Sequence, residues 1–121
     1  VSVRPYAITA LSTASALGAR DDEAMASLRA GESGLRPRGA DLGLPFETWF
    51  GEVPGELPAL PEELASFDNR QARLLHHLLH PLHDALDDAL VRWGTGRLGI
   101  VIGTTTGGIG ATEERFPGWP D

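Results

Sequence analysis

Between Asn69 and Trp93 the apolar residues Leu75, Leu78, Leu79, Leu82, Leu86, Ala89, Leu90 and Trp93 recur at steps of three and four. At 100° per residue they share a stripe roughly 100° wide, the spacing of a helix that turns one face to a core. Asp84, Asp87, Asp88 and Arg92 fall on the other faces. Pro81 interrupts this pattern. It has no backbone N–H to give to the preceding turn, so the helix is expected to kink or divide there. Gly94 and Gly96 supply its stop. Directly afterwards comes Leu98 to Ile102, the unbroken apolar run L-G-I-V-I. Too short for a helix and bounded by glycines, it reads as a central strand buried on both faces.

The remainder is more heavily punctuated. Val3 to Leu11 is mostly apolar with β-branched members and reads as a buried strand, with Pro5 near its start, where a missing N–H is tolerated. Ser12 to Gly18 reads as a turn, in which Ser12, Thr13 and Ser15 cap the loop. No G-x-S-x-G elbow surrounds them, which argues against a serine nucleophile. Asp21 or Asp22 is expected to cap a short helix to about Ala30, stopped by Gly31 and Gly34. Arg36 to Pro45 reads as a loop, Phe46 to Val53 as a strand, and the proline-rich Pro54 to Pro61 as irregular. Ala111 to Glu114 could open a further helix, with Glu113 and Glu114 suited to its N-terminus. The order of strands and helices predicts an α/β fold with a mainly parallel or mixed sheet. A strand buried on both faces needs neighbours on both sides, which this chain is too short to supply. Residues 1–121 are therefore expected to form one portion of a larger unit.

Charge and composition narrow the chemistry. The chain has 17 Asp and Glu against 10 Lys and Arg, a formal net charge of -7, and no basic block. That excludes a typical binder of the nucleic-acid phosphate backbone. With no cysteine among its 121 residues, it offers no thiolate nucleophile, disulfide or Cys-ligated metal. The longest apolar run is far too short to span a bilayer, and no signal peptide is visible, so a cytoplasmic protein is expected. His76, His80 and His83 stand at i, i+4 and i+7, a pattern that could offer imidazoles to zinc. Pro81 breaks their register, and three ligands from one helix close poorly around a tetrahedral ion. The expected reading is a polar helix flank with no metal. Asp84, Asp87 and Asp88 read as solvated charges, although carboxylates there could orient imidazoles.

The segment after Ile102 offers the best candidate site: Gly103-Thr104-Thr105-Thr106-Gly107-Gly108-Ile109-Gly110. It follows an apolar strand pattern, and ligands of α/β sheets bind at the carboxyl ends of strands. It lacks the Gly-Lys-Ser/Thr of a P-loop and the G-x-G-x-x-G dinucleotide fingerprint. Glycines allow close backbone approach and the hydroxyls could bond a polar ligand. A tight packing loop remains the structural alternative.

Three segments in order resemble the N-terminal part of a β-ketoacyl-[acyl-carrier-protein] synthase, a condensing enzyme of the thiolase-like superfamily. They are Tyr6-Ala7-Ile8-Thr9 to Ala16-Leu17-Gly18, Ala26-Ser27-Leu28-Arg29-Ala30-Gly31-Glu32-Ser33-Gly34-Leu35, and Arg97-Leu98-Gly99-Ile100-Val101-Ile102-Gly103-Thr104-Thr105-Thr106-Gly107-Gly108-Ile109. Asp68-Asn69-Arg70 and Thr48-Trp49-Phe50-Gly51-Glu52-Val53 resemble the aryl-polyene and polyketide branch. The resemblance implies a five-layered α-β-α-β-α fold with a mixed sheet and packed helices, and a homo- or heterodimer. It implies a decarboxylative Claisen condensation of acyl and malonyl thioesters carried by acyl carrier protein, in fatty-acid or polyketide synthesis, with no cofactor. Neither nucleic acid nor membrane is an expected partner. The family's cysteine lies beyond the glycine loop and its histidines further on, so no catalytic residue is expected in this chain, and alone it should be inactive. The loop Thr104, Thr105, Thr106, Gly107, Gly108 and Ile109 would lie beside the acyl pocket, with Thr106 at the gating position.

Two departures stand out. Ala10-Leu11-Ser12 replaces the family's Gly-x-Gly, and Thr106 is smaller and more polar than the common aliphatic gate. Both suit a non-catalytic partner that sets chain length. A small free-standing α/β ligand-binding module is the third reading. Carrier proteins are acidic, so a surface of net charge -7 is expected to leave carrier docking mostly to other parts of the protein.

Overall fold

The computed structural model describes residues 5–104 of the chain. It is a small protein of mixed helix and two-stranded sheet, with contacts that group residues into two units, Val1–Glu56 and Leu57–Asp121. No helix among the described residues is long and apolar enough to cross a membrane.

In the first unit, helix α1 spans Asp21–Ala30. Its N-cap is Arg20, which makes no side-chain capping bond, so neither Asp21 nor Asp22 is the cap. The acidic residues serve the entering chain instead. Asp21 accepts both the backbone N–H of Thr13, at 2.6 Å, and the Thr13 hydroxyl, at 2.8 Å. Glu23 accepts the N–H of Ala19 at 2.9 Å. Three acidic residues in the first turn also suit the positive end of the helix dipole. Gly31 ends α1 in the left-handed region at φ 67, as its sequence position predicted.

Strands β1 (Leu35–Pro37) and β2 (Trp49–Gly51) pair antiparallel, Leu35 opposite Gly51 and Pro37 opposite Trp49. Arg38 closes this pair: its N–H reaches the Thr48 carbonyl at 3.0 Å, and its guanidinium meets Glu52 at 2.6 Å and Asp41 at 3.0 Å. The turn at residues 15–18 packs beside these elements. Ser15 and Gly18 exchange backbone bonds, and Ser27 donates its hydroxyl to the Leu17 carbonyl at 2.8 Å. A Cβ on Gly34 would collide with Ala16, which explains why glycine stands there.

The second unit starts with a 3-10 helix, Glu62–Phe67, and then presents the two halves of the long amphipathic segment. Helix α2 runs Arg70–Leu79 and helix α3 runs His83–Trp93, separated by a 3-10 turn at His80–Leu82. Pro81 divides the helix as its chemistry requires, since a backbone bond from Pro81 to the His77 carbonyl cannot form. Leu79, His80, Leu82 and His83 all keep right-handed helical backbone, so the division is a tightened turn. Asn69 caps α2 with its side chain, accepting the Ala72 N–H at 3.0 Å. Gly94 ends α3 at φ 74.

Several sequence expectations are corrected. The described part of Val3 to Leu11, residues 5–11, forms no strand and is exposed; Val3 and Arg4 lie outside the described residues. Leu98 to Ile102 also forms no strand, and Val101 is 97% exposed. The loop expected at Arg36 to Pro45 contributes residues to β1, while the strand expected at Phe46 to Val53 shortens to Trp49–Gly51. Among the described residues, the single sheet is antiparallel, not parallel or mixed. The physical reason is common to all. A short antiparallel pair closes through nearby residues, whereas a parallel pair needs a crossover and flanking layers to cover it. The helical stripe forms, but Leu75, Leu79, Leu86, Leu90 and Trp93 stay exposed instead of facing a core. Ala24 and Leu57 are the buried apolar side chains among the described residues. The helix read at Ala111 to Glu114 lies outside the described residues.

The Asn69 cap carries a stability prediction. Asn69→Ala leaves the Ala72 N–H without its acceptor and should cost about 1 kcal/mol of α2 stability. Urea unfolding followed by helical circular dichroism measures this, and an unchanged midpoint would show that the cap contributes nothing.

Candidate functional site

The best-placed chemistry lies where the first turn of α2 meets the start of the glycine–threonine segment. Two neighbouring interactions fix that turn. Asn69 caps it, and Arg73 reaches back from the next turn to Asp68, Nε to Oδ1 at 2.6 Å and Nη2 to Oδ2 at 2.5 Å. The fork of a guanidinium matches the two oxygens of a carboxylate, so this bidentate pair defines orientation as well as distance. Hydrogen bonding from Arg73 holds the Asp68 carboxyl below its ordinary value, reinforced by the Arg73 charge and the Leu60 backbone N–H, against some desolvation. The same pairing raises Arg73.

From this anchored turn Gln71 extends toward Thr104. Its Nε2 donates to the Thr104 Oγ1 at 2.9 Å, joining residues 33 positions apart. Thr104 is the one member of the candidate loop within the described residues; Thr105, Thr106, Gly107, Gly108 and Ile109 lie outside them. The chain leading to Thr104 is loosely packed. Ile100, Val101 and Ile102 are exposed, and none of the described residues has an atom within 4 Å of where a Cβ on Gly99 or Gly103 would sit. Gln71 was not singled out by sequence reasoning. A lone glutamine in a helix carries no motif, and its partner lies far away in sequence.

The histidines occupy different local positions. His76 and His77 belong to the end of α2, His80 to the intervening turn, and His83 to the start of α3, where its Nδ1 stands 3.3 Å from Asp87. The His76 Nδ1 is buried without a hydrogen-bond partner among the described residues. Among the described residues, no group of three or more His, Asp and Glu side chains is arranged to hold a metal ion. Of the carboxylates after the histidines, Asp87 thus pairs with a histidine, whereas Asp84 lies in the acidic first turn of α3. Ser15 and Thr13 serve the loop, as the sequence suggested: the Ser15 hydroxyl accepts the Leu17 N–H, and Thr13 engages Asp21.

Comparison with family models, curated proteins and solved structures finds no match to this chain.

The Asp68–Arg73 pair sets a pH dependence. The folded-state pKa of Asp68 lies below its unfolded value, so the stabilisation is fully present above the unfolded value. It disappears as pH falls through the folded value. Acid titration should therefore loosen the start of α2 below the ordinary carboxylate range, and Asp68→Asn should remove this component at neutral pH. An identical acid profile in the variant would contradict the assignment.

Proposed function

We propose that this chain is the N-terminal portion of a β-ketoacyl-acyl-carrier-protein synthase, with a thiolase-like fold completed by further residues of the protein. The observation that carries this reading is the segment Arg97 to Ile109, an apolar strand pattern leading into a glycine–threonine loop. The exposed Leu98–Ile102 run and the uncovered stripe of α2 and α3 support it, because such surfaces call for neighbouring strands and layers. In this reading the chain shapes the core and the acyl pocket. The catalytic cysteine comes from elsewhere in the protein, because this segment has none.

The complete enzyme would take an acyl group from acyl carrier protein onto that cysteine. Decarboxylation of malonyl carrier protein would give the carbanion that attacks the thioester, with backbone donors holding the developing oxyanion. The cytoplasm is the expected compartment, and a second ketosynthase-type subunit the expected dimer partner. A chain-length-setting, non-catalytic subunit is the second reading. The replacement of the usual Gly-x-Gly by Ala10-Leu11-Ser12, and the small polar Thr106, favour it.

Product analysis of the complete protein with acyl and malonyl carrier protein tests the role of the loop. At the mouth of an acyl pocket, Thr106→Phe should disfavour long chains roughly ten- to a hundredfold, equivalent to overpacking by about 1–3 kcal/mol. Thr106→Ala should act more mildly. Residues 1–121 alone should form no covalent acyl adduct. An adduct on that segment would overturn the mechanism, and an unchanged product distribution from a folded Thr106→Phe protein would make the loop structural only.

A further inference from the structure

No further inference is drawn: the strongest candidate, the exposed apolar stripe of Leu75, Leu79, Leu86, Leu90 and Trp93 along α2 and α3, is an unpartnered helix face, and nothing in the structure shows what covers it.

Discussion

Burial of apolar surface limits what this chain can build from its own residues. A strand that is apolar along its whole length gains stability only where neighbours take its backbone N–H and C=O groups and cover both faces. Among the described residues Leu98–Ile102 has no paired strand, Ile100, Val101 and Ile102 are exposed, and the run takes no strand conformation. Helices are less demanding, because their backbone bonds are internal. Accordingly α2 and α3 form where the sequence puts them, although their leucine stripe remains exposed. Among the described residues, elements that bond internally or to near neighbours are present, and no strand forms in the stretches whose patterns call for distant partners.

Local hydrogen bonds therefore do much of the organising in what is described. In the first unit, Asp21 gathers the Thr13 N–H and hydroxyl, and Arg38 ties the β1–β2 pair to Glu52 and Asp41. In the second, Asn69 and the Asp68–Arg73 pair define the start of α2. These contacts are mostly exposed, where a single ion pair contributes little to stability. Their effect is chiefly on where an element begins and in which direction a side chain such as Gln71 leaves it.

This distinction explains which features were legible in the sequence. The end of α1 at Ala30, the Gly31 stop and the division at Pro81 could be read directly, because each follows from the local chemistry of one or two residues. The three-residue strand Leu35–Pro37 could not, since three residues show no period and Pro37 suggests a loop. Leu98–Ile102 and the described part of Val3–Leu11 take no strand conformation for the opposite reason: their patterns are clear, but they specify burial against partners that the described residues do not provide. At the candidate site, the glycine–threonine context drew attention to Thr104. Its contact with Gln71 was not, as no short motif connects residues 33 positions apart.

On the proposed reading, Leu98–Ile102 becomes an interior strand when further residues of the protein surround it. Amide hydrogen exchange of this segment, compared between residues 1–121 alone and the complete protein, tests it most directly. Fast exchange in the isolated segment and strong protection in the complete protein are predicted, because a strand with neighbours on both sides has its amides hydrogen-bonded and shielded. Fast exchange in both would contradict the claim, for the apolar run would then form no interior strand even with the whole protein present.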